Sequence, residues 1–490
     1  MSEGASIARN AAWLTLATTL NKVLAFAAFA VVARYTGPEI TGTYQFALSV
    51  TAIFVTLADL GMTSVVIRGI AAGRADGEKL LSAAIRMKLV LAPIAGLCAL
   101  GYGLFRDANP VALACIGIAI FMMMADAFHL VLYGALRGRR NLRPEALGLL
   151  LGQVLTSGGA ITAAILGVGP LGIITAYLVG SFWNVLWSGW HIRRLGIRLP
   201  AVGLSDFRLL LVEATPFAIA GVAVKLYSYT DSLMLEAYHG AVAVGVYAVP
   251  YKMTYAFQFI PLAFVAALYP ALSAAWAEKR TEDMRRVFLG SLRLMAAIAF
   301  PIMAGLSALA PQLVPFVFGP QFVNSIPVLE VLPWVLLPIF MDFPIGSLLN
   351  ASNRAAQKTA AMVGTMFINV VLNALLVPSM GPIGAAWAGV FSFCFLLSVG
   401  MFFTARDAGG WGALLSILGR GALAGAVSWL AWRFAGTHMP LFAAMCFGGA
   451  VSVLAAFALQ LMTLEDVKWI KSLRKRAPQP EAETKKHEDV

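Results

Sequence analysis

Residues 11–44, AAWLTLATTLNKVLAFAAFAVVARYTGPEITGTY, decide the fold class, because they describe an apolar helix followed by a short Gly/Pro turn. Residues 11–35 are long enough to cross a bilayer, since about 20 apolar residues span roughly 30 Å. Lys22 lies roughly 16 Å into that helix at about 1.5 Å per residue, which places it near the bilayer midplane. A lysine at this depth costs about 2.5–3.5 kcal/mol on insertion scales, so a function or a partner must compensate for it.

The composition of the whole chain is typical of a membrane protein. Of its 490 residues, 60% are hydrophobic and 12% are charged, against about 25% charged residues in soluble proteins. The net charge of +12 would favour a nucleic-acid partner in a soluble protein. Here the basic residues gather in particular loops, so the positive-inside rule explains the charge and we expect no nucleic-acid partner. The four cysteines lack metal-ligand spacing and each falls in an apolar segment, so we predict no metal site.

The apolar runs predict an all-α, polytopic membrane protein with about fourteen transmembrane helices. The predicted spans are 11–35, 42–67, 82–105, 110–136, 146–167, 170–192, 209–237, 243–275, 290–310, 328–350, 359–378, 382–404, 413–435 and 440–463. With the N-terminus inside, the internal loops and the span ends beside them hold twenty Lys and Arg residues, from Arg68 to Arg406. The external side receives Arg34, Arg106 and Arg433. This asymmetry predicts that both termini are cytoplasmic.

An internal repeat divides the chain. The pattern Tyr35-x-Gly37-x4-Gly42-x-Tyr44 recurs 203 residues later as Tyr238-x-Gly240-x4-Gly245-x-Tyr247. Further along the displacement is 212, and GPLG at 169–172 recurs as GPIG at 381–384. Six spans is an even number, so the two copies have the same orientation and are parallel repeats.

We therefore predict two six-helix lobes around a central cavity, with a helix hairpin appended. The predicted units are an N-terminal lobe (1–200), a C-terminal lobe (201–405), helices 13 and 14 (406–464), and a basic cytoplasmic tail (465–490). The tail begins with a basic cluster, so we expect it to contact anionic lipid and then to be disordered.

Lysines in the first helix of each lobe are the first candidate site residues. The 203-residue displacement relates Lys22 to Lys225, so two lysines lie near the midplane at pseudo-symmetric positions. Lys252 lies in the next helix, where Tyr247, Tyr251 and Tyr255 recur every four residues along one face. Three ammonium groups on a central cavity would suit a phosphate or pyrophosphate. The alternative is that each lysine reaches the interface or pairs with an internal acid.

Intramembrane acids are candidates for ion coupling or for structural hydrogen bonds: Asp59, Asp126, Asp231 and Asp342. For Asp59 we favour a structural role at the base of the first lobe. Asp126 has His129 three residues later, which allows either a proton relay or a satisfied polar pair, the second being favoured. Asp231 follows Lys225 by six residues, so these two do not share a helix face.

Catalytic motifs are absent from the sequence. It contains no Gly-Lys dipeptide and hence no Walker A loop, and no HExxH, GxSxG or paired-cysteine zinc pattern. We therefore predict a transporter rather than an enzyme, without a catalytic residue or a cofactor.

The segment RYTGPEITGTYQFALSVTAIFVTLADLGM (34–62) resembles the Wzx-type flippases that export O-antigen and exopolysaccharide units. The shared features are the helix end near Gly37, Gly42-x-Tyr44, and Asp59-Leu60-Gly61 followed by Arg68. GRRNLRP (138–144) and the GPLG and GPIG segments also fit. The resemblance covers about residues 5–405. The superfamily also holds the multidrug and toxin extruders and the lipid II flippase.

The resemblance implies a flippase in the bacterial inner membrane. It would move an undecaprenyl-pyrophosphate-linked oligosaccharide to the external leaflet by alternating access of two lobes. The expected partners are this anionic lipid-linked glycan, membrane lipids, and a polysaccharide polymerase or other assembly protein. In the lipid II branch, basic residues on the first helices of the lobes hold the pyrophosphate, and Lys22 and Lys225 occupy similar positions.

Three other functions compete with this interpretation. A multidrug cation antiporter of the same fold would need exposed acids and few cavity lysines. A membrane enzyme of glycan assembly would need a large external loop or a metal or nucleotide site, and neither is visible in the sequence. A non-catalytic assembly scaffold is the third alternative.

Overall fold

The computed structural model describes residues 3–74 and 76–462, without the side chains of 3–16, 220, 266 and 267. Within these ranges the chain is helical and contains no β-strand. In chain order the helices are α1 Glu3–Asp59, α2 Met62–Ala71, α3 Gly77–Phe105, α4 Pro110–Gly138, α5 Arg143–Ile165, α6 Pro170–Arg194, α7 Leu204–Ala256, α8 Phe259–Ala277, α9 Thr281–Ala308, α10 Ala310–Phe318, α11 Ile326–Val331, α12 Leu336–Ala351, α13 Ala355–Thr404, α14 Trp411–His438 and α15 Leu441–Ala458. The predicted tail, 465–490, lies outside the described residues.

Eleven described helical segments are long and apolar enough to cross a membrane. Three of them bend at a glycine with non-helical backbone angles: Gly37 in α1, Gly240 in α7 and Gly381 in α13. Each of these three segments supplies two spans, so the described chain contains fourteen spans. This confirms the polytopic all-α fold that the apolar runs predict.

The turn glycines of the repeat have the same conformation in both copies. Gly37 has φ 74° and ψ 178°, and Gly240 has φ 74° and ψ −177°. A positive φ disfavours residues with a Cβ, so glycine allows the chain to turn here without strain. Helices α1 and α7 therefore each have two limbs, the first before the turn glycine and the second after it.

The two turns pack against each other at the predicted external end. An ideal Cβ on Gly42 would overlap the carbonyl oxygen of Ala241 and lie 2.8 Å from the backbone nitrogen of Gly245. In return, a Cβ on Gly245 would overlap the carbonyl oxygen of Pro38. The contact is reciprocal because the two turns are copies of one motif. Both glycines are required for this close approach of backbone to backbone.

A hydrophobic cluster continues this junction toward the membrane interior. It joins Phe46 and Val50 of α1 to Ile116 of α4 and to Leu235 and Tyr247 of α7. The two halves of the molecule are therefore closed against each other at the end that holds the turns.

The second span of each half is interrupted, which the sequence did not predict. Span 2 breaks at Leu60 (φ 43°) and Gly61 (φ 76°) before α2 begins. A Cβ on Gly61 would lie 2.6 Å from the Phe217 side chain, so α7 packs directly against this break. Span 8 breaks at Phe257–Gln258, between α7 and α8.

Candidate functional site

A central cavity of about 420 Å³ lies between the second limb of α1, α4 and both limbs of α7. Its wall contains two cations, Lys225 and Lys252, and one carboxylate, Asp126. The other lining residues are Gln45, Leu48, Ser49, Thr51, Ala52, Val55, Met122, Met123, His129, Leu130 and Tyr229. A cleft whose walls hold more cations than carboxylates attracts anions.

The bend in α7 at Gly240 brings the two lysines together. Lys225 lies on the first limb, with its Nζ 5.4 Å from the ring centroid of Tyr229. Lys252 lies on the second limb, with its Nζ 5.7 Å from the ring centroid of Phe29 on α1. Aromatic faces attract cations weakly and leave their hydrogen-bond donors free for a ligand.

The structure does not place Lys22 on the wall of this cavity. Its side chain is exposed. Phe29, which contacts Lys252, follows Lys22 by seven residues, or about two helical turns. Lys22 therefore shares a helix face with Phe29 but lies roughly 10 Å along the axis, toward the N-terminus. The lysines that meet in one cavity are Lys225 and Lys252.

Asp126 and His129 lie on the α4 side of the cavity. The Asp126 carboxylate is 3.5 Å from Nε2 of His129 and lies near the Ser181 hydroxyl. Across the cavity it acts electrostatically on Lys225, whereas no described carboxylate acts on Lys252. Both ring nitrogens of His129 are buried and have no hydrogen-bond partner in the described structure. Asp126 is thus the counter-charge of Lys225 across the cavity.

Asp59 and Asp342 lie away from this wall, and each is paired with a lysine. Asp59 accepts hydrogen bonds from Lys88 of α3 and from Thr63 of α2. Asp342 accepts a hydrogen bond from Lys358 of α13. Such pairs remove the cost of an isolated intramembrane carboxylate.

Asp231 is buried at the junction of the two limbs of α7. Its carboxylate accepts a hydrogen bond of 2.8 Å from the Ser232 backbone nitrogen and lies near the Tyr247 hydroxyl. The Tyr247 and Tyr251 ring centroids are 5.9 Å apart, and those of Tyr251 and Tyr255 are 4.2 Å apart. The tyrosines therefore share one face of the second limb, as their spacing predicts. Asp231 of the first limb lies at the Tyr247 end of this face.

Two buried ionic pairs were missed by the sequence reasoning. Lys88 was assigned to the internal end of span 3, but its side chain is 0% exposed where it meets Asp59. Its position eleven residues into α3, roughly 16 Å along the helix, was the available signal. Glu145, at the start of α5, is also fully buried and accepts hydrogen bonds from Arg137 of α4. Nothing in the sequence pattern distinguishes this acid from a solvated loop residue.

A charged network joins α2 and its following loop to the start of α7. Glu213 accepts hydrogen bonds from Arg68 at 2.7 Å and from Arg74 at 2.9 Å. Arg74 also donates two hydrogen bonds to Asp76, at 2.9 and 2.8 Å. The Arg74 guanidinium holds the pKa of Asp76 below its usual range. This network connects the two halves at the predicted cytoplasmic end.

A second cavity, of about 460 Å³, lies beside Lys252 and is almost entirely apolar. Phe26 of α1, Met253 of α7 and Leu306 of α9 contribute to its wall, and Trp432 and Met445 close it from α14 and α15. Met253 adjoins Lys252 in the chain, so the apolar cavity and the cationic cavity are neighbours.

The class that the fold and the cavity indicate is a polytopic membrane transporter. The sequence profile described as "Polysaccharide biosynthesis protein" matches residues 7–276, and the profile described as "MatE" matches residues 216–376. The chain therefore belongs to the polysaccharide biosynthesis protein family of membrane flippases.

Relatives by sequence agree with this assignment, and a solved structure shows the same fold. The chain is 22% identical over 390 residues to "Probable low-salt glycan biosynthesis flippase Agl15" of Haloferax volcanii, covering 79% of this chain and 81% of that one. It is 21% identical over 451 residues to the lipid II flippase MurJ of Bacillus subtilis, covering 81% and 82%. A solved structure of lipid II flippase MurJ in an inward closed conformation has the same fold, with a TM-score of 0.73, 14% identity, and coverage of 93% of this chain and 99% of that one.

Proposed function

We propose that this protein flips a lipid-linked oligosaccharide of the undecaprenyl-pyrophosphate type across the cytoplasmic membrane. The observation that carries the proposal is the pair Lys225 and Lys252 on one 420 Å³ cavity with a single opposing carboxylate, Asp126. The flippase relatives support the lipid-linked glycan as the substrate class.

The headgroup step follows from the charges on the cavity wall. A pyrophosphate between Lys225 and Lys252 would accept hydrogen bonds from both ammonium groups and would replace Asp126 as the main counter-charge of Lys225. Lysine is a compact point charge with three donors, so it can follow a phosphate that moves during transport. Gln45, Ser49 and Thr51 offer uncharged hydrogen-bonding groups for the first sugar. We propose that Lys22 meets the headgroup first, on the approach to the cavity.

The apolar cavity beside Lys252 accounts for the lipid part of the substrate. A polyprenyl chain has no hydrogen-bonding groups. The free energy gained when it is buried against residues such as Phe26, Met253 and Leu306 increases with the apolar area removed from water. A substrate held in this way keeps its phosphates at the lysines and its tail toward α14 and α15.

We further propose that transport proceeds by alternating access of two lobes, residues 1–200 and 201–405. The packed turns at Gly42 and Gly245 would form the closed external end, and the Arg68–Glu213 network would bridge the cytoplasmic end. With both termini cytoplasmic, the substrate would enter from the inner leaflet and leave to the outer one. A polysaccharide polymerase or another assembly protein would receive it there.

A multidrug cation antiporter is the second candidate, and one observation favours it: Asp126 faces the central cavity. Two lysines on the same wall oppose it, because their net charge repels a cationic drug. The D126N substitution separates the candidates. A flippase with D126N retains or gains anion affinity, whereas a cation antiporter loses its substrate.

The binding experiment uses the full chain in nanodiscs and undecaprenyl diphosphate as the probe, with bound probe counted by native mass spectrometry. We expect K225Q/K252Q to bind at least about tenfold more weakly, since about 1.4 kcal/mol corresponds to a tenfold change. The control K79Q/K279Q removes two exposed lysines from the predicted internal loops. Equal affinity of K225Q/K252Q and the wild type would refute the headgroup site.

A further inference from the structure

We propose that a cleft between the start of α5 and the end of α6 binds the phosphate headgroup of an anionic phospholipid. This arginine cleft has a volume of about 370 Å³. It is lined by Asn141, Arg143, Pro144, Leu147, His191, Arg194 and Leu195. It shares no lining residue with the central cavity and lies at the end of the bundle that carries the arginine-rich loops.

The positive charge of this cleft is not neutralised by the protein. Neither Arg143 nor Arg194 has a carboxylate within ion-pair distance among the described residues. The acid nearest in sequence, Glu145, is buried and bound by Arg137. Arg194 instead lies over the ring of Trp190, with its Cζ 5.2 Å from the centroid. Two guanidinium groups with free donors can hold a phosphate through several charge-assisted hydrogen bonds.

The walls of the cleft are fixed before any ligand arrives. Nε1 of Trp187 donates a hydrogen bond of 2.7 Å to the carbonyl of Pro144, which ties α6 to the start of α5. Nδ1 of His191 is 3.0 Å from the carbonyl of Trp187, which directs Nε2 away from the helix backbone. The ring centroids of Trp187 and His191 are 4.7 Å apart. A preformed site loses little conformational entropy on binding.

The surroundings of the cleft favour a lipid over a free phosphate. Leu147 and Trp190, at the ends of α5 and α6, are about half exposed, and Leu186 is 69% exposed one turn before Trp190. These side chains form an outer apolar surface that leads into the cleft. Tryptophan beside arginine at a helix end is typical of the membrane–water interface. A phospholipid would place its acyl chains on this surface and its phosphate between the arginines.

The test uses the detergent-purified full chain titrated with phosphatidylglycerol or phosphatidylcholine, with each bound lipid counted by native mass spectrometry. We expect the first phosphatidylglycerol to bind at least about tenfold more tightly than phosphatidylcholine, and R143Q/R194Q to remove about that factor. The matched control R86Q/R193Q removes two exposed arginines from the same end, outside the cleft. R143K/R194K keeps both charges and should retain part of the selectivity if the glutamine variant fails to fold.

The outcomes separate the possible occupants. Selective loss in R143Q/R194Q, with the control within about twofold of the wild type, supports the site. Equal loss in both double variants would show diffuse attraction and overturn the proposal. In the same titration, binding of undecaprenyl diphosphate or inorganic phosphate that R143Q/R194Q weakens, without such an effect on phosphatidylglycerol, would also overturn it. Because the central-cavity lysines are unchanged in these variants, failure here leaves the proposed flippase function untouched.

Discussion

Alanine at Gly42 is expected to force the two packed turns apart. The added Cβ would lie 2.8 Å from the backbone nitrogen of Gly245, where ordinary contact begins at 3.4 Å. The Gly245 nitrogen alone requires the turns to separate by about 0.6 Å, and the overlap with the Ala241 carbonyl requires a larger shift. Overpacking of this kind costs about 1–3 kcal/mol, and the obstructing atoms are backbone, which cannot rotate away.

That cost falls on the state in which the external end is closed. A shift of about 1–3 kcal/mol corresponds to roughly 5- to 150-fold in the ratio of closed to open molecules. G245A should have a similar effect, since its Cβ would meet Pro38 in the reciprocal contact. G117A is the matched control, because a Cβ there meets nothing within 4 Å.

Spin labels at Tyr35 and Tyr238 measure this shift. Both residues are exposed, and they are related by the repeat. In a background with the four cysteines replaced by alanine, we expect G42A and G245A to add a longer-distance population that G117A lacks. If the distance distribution of G42A matches that of the control, the two turns do not pack as described, and the reasoning fails.

Two further predictions concern ionic contacts. K88M should destabilise the protein by about 3–5 kcal/mol, because it leaves Asp59 unpaired inside the bundle, and D59L/K88M should recover most of this in thermal unfolding in detergent. Equal melting temperatures of the single and double variants would refute the importance of the pair. Because Arg74 lowers the pKa of Asp76, the stabilisation it brings is complete above the unfolded pKa of about 4 and is lost as the pH falls through the folded pKa. Both side chains are about one-third exposed, so we expect this stabilisation to be less than about 1 kcal/mol. It is measured as the difference in the free energy of unfolding between the wild type and D76N from pH 6 to pH 2. Parallel pH profiles of the two proteins would contradict it.

Sequence reasoning reached the fold because its signals are local or periodic. Fourteen apolar runs are visible one at a time, since each must span the same thickness of hydrocarbon. The matched glycines at 37 and 240 identify the repeat, and they share one backbone conformation because each allows the same turn. The breaks within spans 2 and 8 were not predicted, because the sequence of both segments remains apolar across the interruption.

The site was harder to predict, because side-chain neighbours on different helices leave no local signal. The sequence predicted Lys22, Lys225 and Lys252 on one cavity, and the structure brings Lys225 and Lys252 together on its wall without Lys22. Asp126 was visible as an intramembrane acid, but its position opposite Lys225 depends on how α4 packs against α7. The sequence predicted Lys88 beside a basic internal loop, whereas the packing of α3 places its side chain against Asp59.

The sequence by itself therefore determined the membrane fold, the number of spans and the parallel repeat, because hydrocarbon thickness and backbone geometry act on each segment separately. On the same grounds, residues 11–44 predicted Lys22 at the depth of the bilayer midplane, where a charge is costly. Only the tertiary structure decided which charges meet: Lys225 with Lys252 and Asp126 in one cavity, and Asp59 with Lys88 in another place. Electrostatic interaction depends on distance in space, and that distance is set by the packing of helices far apart in the chain.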